Sequence, residues 1–197
     1  HKVPKNYKIS NKEATVAQYP QATDLLDFYN NDFYKNTIAY TFSANPASDV
    51  TNPLNINFYA AVGKVDDGKV SFGPAKALYI PDNQPSYQRC FENTISINPK
   101  NKKNIVATST FRNDNFTLPD PTFNRTTFLR SYTFDGGETW TTDKMTGTER
   151  TAGYGLAKFR GDPNALFDEF GNYWITYMST DNPAGTPPFK LVFAVST

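Results

Sequence analysis

Short runs of alternating apolar and polar residues fill most of this chain, and Gly, Pro, Asn or Asp interrupts them about every 8–12 residues. Residues 92–98, 104–108, 127–132, 172–176 and 191–195 each read as a strand, and 127–132 and 191–195 alternate between two faces. No long window carries the period of an amphipathic helix, and only residues 24–34 fit a short one. The pattern predicts an all-β protein built from hairpins.

The sharpest turn signal is Thr133-Phe134-Asp135-Gly136-Gly137-Glu138-Thr139-Trp140. Glycine takes positive φ without steric cost, and an Asp carboxylate can accept hydrogen bonds from the turn's own N–H groups. Thr133 adds a hydroxyl, and Trp140 is large enough to pin the hairpin to a core. A degenerate copy lies upstream, where Asp67, Gly68 and Phe72 keep the spacing of Asp135, Gly136 and Trp140. There Val65 replaces the hydroxyl residue and Lys69 the second glycine. A third copy starts at Ser196, which falls where Thr133 does in the strand pattern. The period is 68 residues (135 − 67), then 63 (196 − 133). The preceding strand pairs repeat as well, with Glu92 aligned to Asp162 and Asn98 to Asp168. Each unit reads as strand, turn, strand, long loop, strand, Asp-Gly turn, strand, which is one blade of a propeller.

The Ser/Thr-x-Asp-x-Gly-x-Thr-Trp pattern resembles the Asp-box, the hairpin repeat of sialidase-like β-propellers. Gly161-Asp162-Pro163 followed by Phe167-Asp168-x-x-Gly171 is similar to a blade opening in exo-sialidase-like proteins. The resemblance implies an all-β, sialidase-like β-propeller with antiparallel four-stranded blades, about three of them from a larger, six-bladed ring. Residues 1–32 are then an extended lead-in, and blade units span about 33–85, 86–150 and 151–197, the last truncated. An open arc leaves strand edges unpaired, so the remaining blades are expected from the rest of a longer chain or from another chain.

Composition narrows the chemistry. The net charge of +1 over 197 residues gives no field that would recruit nucleic acid or an anionic membrane. The basic cluster of Lys100, Lys102 and Lys103 falls in a turn and reads as a solvated hairpin tip. No run of apolar residues is long enough to span a membrane. Cys90 is single, which excludes an internal disulfide and suits a small buried hydrophobe. The one histidine is His1, so a zinc site fails on ligand count and no Ser-His-Asp triad can be built within the chain. No phosphate-cradling Gly loop is present, so no metal and no cofactor is expected. Asn115 and Asn124 lie in glycosylation sequons, which matter only in a secretory pathway.

In sialidases, as the resemblance implies, an arginine triad holds the substrate carboxylate, a Tyr backed by Glu is the nucleophile, and an Asp is the acid/base. A bidentate guanidinium matches a carboxylate, and these groups lie near the ring axis, opposite the Asp-box turns. The corresponding candidates are Arg89 and Glu92 in one unit and Arg160 and Asp162 in the next, with Tyr87, Tyr154 and Trp174 as ligand-binding platforms. The competing reading makes Glu92 and Asp162 turn caps and the arginines solvated. The Arg-Ile-Pro element that supplies a sialidase's first arginine is absent from the chain. Three functions fit: a surface or secreted propeller that binds glycans or protein partners, an exo-sialidase-type glycoside hydrolase, or a structural repeat of a fibre, shell or virion. The absent element favours the first, at an extracellular, cell or particle surface.

Overall fold

The computed structural model describes residues 30–44, 56–80, 88–113, 126–145, 156, 159–180 and 187–196. All their regular structure is strand, and every sheet is antiparallel. The first sheet runs β1 (Asn31–Tyr34), β2 (Thr37–Ala44), β3 (Asn57–Asp66) and β4 (Lys69–Phe72), with β5 (Lys76–Tyr79) also on β3. The second runs β6 (Gln88–Ile97), β7 (Ile105–Asn113), β8 (Thr126–Thr133) and β9 (Thr141–Met145). The third runs β10 (Phe159–Phe167), β11 (Tyr173–Ser179) and β12 (Lys190–Ser196). The second and third sheets are meanders in chain order, and consecutive sheets stack face to face. The fold is therefore all-β and β-propeller-like, with no closed ring among the described residues.

The first sheet departs from a regular four-stranded unit. β4 pairs with residues 63–66 of β3 and β5 with residues 58–60, so the two lie end to end along one edge. Gly73, Pro74 and Ala75 separate them. Pro74 has no N–H to continue the ladder, and the Gly73 N–H turns in to donate to the Val62 carbonyl at 3.0 Å. The short helix expected at 24–34 is not what residues 31–34 form: they are β1, paired with β2. The i, i+2 pairing partner decides here, because a sheet edge offers these residues ladder bonds that an isolated helical turn cannot match. Residues 24–29 lie outside the described residues.

Two cores join the sheets. Ala39, Phe58, Ala60 and Leu78 of the first sheet meet Cys90, Ile95, Ile97, Ile105, Ala107, Phe111 and Leu129 of the second. Burying a side chain of the size of Ile105 or Phe58 contributes about 1.5–3 kcal/mol. Burial also raises the Cys90 thiol well above its ordinary range, so this sulfur is an inert packing group. Between the second and third sheets Phe128, Phe159 and Tyr177 form a three-ring cluster, with centroids 5.2–5.7 Å apart, joined by Met145 and Ile175.

The inner strands are bonded across the stack as well as packed. Ala165 and Phe167 of β10 donate their backbone N–H groups to Thr94 Oγ1 and Ser96 Oγ of β6, each at 3.0 Å. One sheet earlier, Ile97 N–H donates to Asp32 Oδ2 at 2.7 Å. The hydroxyl-rich face of the second sheet thus satisfies the free edge of the next sheet's first strand, a group that would be costly to bury unpaired. That explains why Thr94 and Ser96 are buried although polar, while buried Thr108 bonds to Thr94 and Thr110 to Glu92 within the second sheet.

Candidate functional site

The two ends of the stacked sheets carry different chemistry. At one end lie the tight turns. Asp135 accepts from the Thr133 hydroxyl at 2.6 Å and from the Thr139 hydroxyl and N–H at 2.5 and 3.0 Å. The Thr133 bond, then the Thr139 bonds, hold its carboxyl well below the usual range. Thr133 Oγ1 also accepts from the Gly137 N–H at 3.1 Å, and the Trp140 indole N–H donates to the Gly137 carbonyl at 3.2 Å. Gly136 and Gly137 have φ of 83° and 96°. The turn is fastened to its surroundings: Gly136 N–H donates to the Lys103 carbonyl at 2.9 Å. A Cβ on Gly137 would lie 2.6 Å from Val62 Cγ2 of the first sheet.

Asp67 and Gly68 occupy the same third-to-fourth-strand connection one sheet earlier, but as a two-residue hairpin loop between β3 and β4. Both have positive φ, 46° and 70°, as a type I′ turn requires. Phe72, aligned with Trp140 by spacing, ends β4 opposite Gly63, whereas Trp140 stands before β9 begins. The lysine-rich turn between β6 and β7 is an exposed hairpin tip, with the Lys102 ammonium donating to Asn36 Oδ1 at 3.0 Å.

Sequence reasoning passed over a further clamp of the same type. Between β10 and β11, Asp168 accepts from the Trp174 indole N–H at 2.9 Å, from Asn172 N–H and Nδ2 at 2.9 Å each, and from Phe170 N–H at 2.9 Å. These bonds, the indole's foremost, lower its carboxyl to about 2. Trp174, a candidate ligand platform, is thus tied to this turn. The signal was present in the sequence: Asp168, Gly171 and Trp174 repeat the Asp-Gly-aromatic order of Asp135, Gly137 and Trp140.

The catalytic candidates sit toward the other end of the strands. Arg89 is buried on β6 with its guanidinium 5.9 Å from the Phe91 ring centroid. Arg160 is exposed on β10. Glu92 and Asp162 are brought together. Both have left-handed backbones, with φ of 56° and 55°, and both lie at bulges, where the β6–β7 and β10–β11 registers shift. Glu92 Oε2 accepts from the Thr110 hydroxyl at 2.7 Å and from the Asp162 N–H at 3.2 Å, linking the two sheets. Left-handed non-glycine residues are uncommon, and two at matched positions mark a built feature of the repeat. Asn93, beside Glu92, is buried and donates from Nδ2 to Ser43 Oγ at 2.8 Å, which ties the bulge to the first sheet too. Tyr87 and Tyr154 lie outside the described residues, as do Asn115 and Asn124.

Among the described residues no group of three His, Cys, Asp or Glu side chains could hold a metal ion, and no helix is long and apolar enough to cross a membrane. No family model and no curated protein matches the chain. Among solved structures it is similar to the Hadza microbial sialidase Hz136, at 11% identity and a TM-score of 0.46, over 80% of this chain and 32% of that one. The chain thus spans about a third of that sialidase's length.

Proposed function

We propose that this chain is a surface or secreted propeller-like module that binds carbohydrate or a protein partner, and does so without catalysis. The site is the end of the stacked sheets that carries Glu92, Asp162 and Arg160. The observation that carries this reading is the use of the Glu92 carboxylate: one oxygen holds both the Thr110 hydroxyl and the Asp162 N–H, so that oxygen serves to join two sheets. A general base or a proton relay needs a carboxylate with an oxygen directed at a reacting group. The exposed Arg160 beside Asp162 instead offers a polar surface that recognises hydroxyls and anions.

The test is retention on arrayed glycans together with turnover of a fluorogenic sialoside. Binding without turnover, weakened about tenfold or more by Arg160→Ala, is expected. Sialoside hydrolysis that Arg160→Ala abolishes, with the circular dichroism unchanged, would replace this reading with an exo-sialidase-type enzyme.

A further inference from the structure

The chain holds two Asp-Gly dipeptides, Asp67-Gly68 and Asp135-Gly136, and no Asn-Gly. In Asp-Gly the side-chain carboxyl lies open to attack by the next residue's amide nitrogen, because glycine puts no Cβ beside that nitrogen. The five-membered ring closes only when the nitrogen and the carboxyl carbon are both free and the backbone between them can rotate. The fold treats the two sites oppositely on each of these counts.

At Asp135 the nucleophile, the electrophile and the backbone are all held. The Gly136 N–H donates to the Lys103 carbonyl at 2.9 Å. The carboxylate accepts from the hydroxyls of Thr133 and Thr139 at 2.6 and 2.5 Å. Gly137 presses on Val62 and Trp140 packs against the core of the first two sheets, so rotation about the Asp135 backbone has to displace a joint between sheets.

At Asp67 none of these restraints is present. Asp67 and Gly68 are exposed, and a Cβ on Gly68 would meet nothing within 4 Å. The β3–β4 ladder closes on Asp66 opposite Lys69, which leaves the Gly68 N–H outside it. Val65 stands where Thr133 does and brings no hydroxyl to the carboxylate. β4 also opens at low cost: it is four residues long, alternately exposed and half-buried, and lies at the edge of its sheet.

We propose that Asp67-Gly68 is a site of covalent modification, converting through a succinimide to isoaspartate, while the Asp135 clamp protects the same dipeptide one sheet later. The Gly68 nitrogen forms a bond to Asp67 Cγ, the Cγ–OH bond breaks, and the hydroxyl leaves with the amide proton as water. Water then adds at Cγ, which restores aspartate, or at the Asp67 main-chain carbonyl, which gives isoaspartate. The net change is an isomerisation and needs no redox partner. In isoaspartate the main chain runs through Cβ and is longer by one carbon. A two-residue loop matched to the twist of its strands then no longer fits, so β4 loses the register that runs from Gly63–Phe72 to Asp66–Lys69. The product carries a free α-carboxyl, the group that an isoaspartyl carboxyl methyltransferase esterifies with S-adenosylmethionine.

The test is to age the 197-residue chain at neutral pH, below its unfolding transition, beside a matched sample in denaturant. Peptide mapping by mass spectrometry with electron-transfer fragmentation separates isoaspartate from aspartate at each site. The folded chain should accumulate isoaspartate at Asp67 at least about tenfold faster than at Asp135, and denaturant should bring the two rates together. Methyl transfer from labelled S-adenosylmethionine by an isoaspartyl methyltransferase should rise with the Asp67 signal. It should be lost in Asp67→Glu, whose extra methylene disfavours ring closure. Equal rates at the two sites in the folded chain, faster conversion at Asp135, or no conversion at Asp67 would overturn the proposal. A difference that persists in denaturant would overturn it too, because local sequence rather than the fold would then set the rates.

Discussion

The turns at Asp135 and Asp67 occupy the same connection in successive sheets and differ in almost everything else. The Asp67–Gly68 turn is local. Two residues with positive φ close a hairpin, and a Cβ on Gly68 would meet nothing within 4 Å. The Asp135 turn is a clamp between sheets. Its carboxylate gathers the Thr133 and Thr139 groups, Gly136 bonds to the neighbouring turn at Lys103, Gly137 presses on Val62 of the first sheet, and Trp140 packs against the core shared by the first two sheets. Two differences stand out between the copies: Val65 replaces the Thr133 hydroxyl, which bonds Asp135 and Gly137, and the second glycine is lost. At the slot of Gly137 the earlier copy has Lys69, which begins β4. A side chain there is strained at a φ near 96°, and in the earlier copy the chain turns early and the aromatic lands on the strand instead. An identical spacing of Asp, Gly and aromatic residue thus yields a solvent loop in one place and a structural joint in the other.

Substitutions at matched positions test that contrast. Trp140→Ala should cost about 2–4 kcal/mol, the loss for a large, partly buried aromatic, while Phe72→Ala should cost about 1–2 kcal/mol. Chemical denaturation midpoints check both, and equal losses would erase the distinction. Gly137→Ala comes next, at about 2–3 kcal/mol, because the added methyl meets Val62 and the backbone is held in a glycine conformation. Gly68→Ala, with the same conformational cost but open space, should lose only about 1 kcal/mol. Asp135→Asn should lower the midpoint by less than either substitution at Trp140 or Gly137, and Asp67→Asn should leave it unchanged within error.

The smallest effect is the pH dependence of the Asp168 clamp. Its carboxyl is lowered in the folded protein from 3.8 to about 2. A folded value below the unfolded one means that the stabilisation is complete above about pH 4 and is lost as pH falls through about 2. Asp135 acts in the same direction. Asp168→Asn should therefore flatten part of the acid limb of a stability–pH curve while lowering stability near neutrality. A limb that keeps its slope would show that other carboxylates set it.

Much of this molecule was legible in the chain. The runs at 92–98, 104–108, 127–132, 172–176 and 191–195 all fall in strands, although 93–97 and 105–111 are buried on both faces because the second sheet lies between the other two. The Asp135 turn was legible as well: glycines at positive φ and an Asp acceptor are local requirements, met by nearby residues. The alignment of Glu92 with Asp162 was visible too, and both proved to be bulges, yet their left-handed backbones were not. A non-glycine residue carries no mark of positive φ, and only the register shift and the bond between the two reveal it.

Tertiary structure alone decided the rest. Whether an Asp-Gly turn acts as a clamp depends on what packs against it: Gly137 meets Val62 of the first sheet and Gly68 meets nothing, contacts far apart in the chain. Whether residues 31–34 are helix or strand depends on the edge that β2 offers them. Trp174 reads from its strand position as a possible platform and is held by Asp168 across a turn. Local chemistry chooses strands and turns, because it acts over a few neighbouring residues. The choice between solvent and partner for a given side chain comes from how the sheets stack, since burial and close approach are properties of residues brought together from distant parts of the chain.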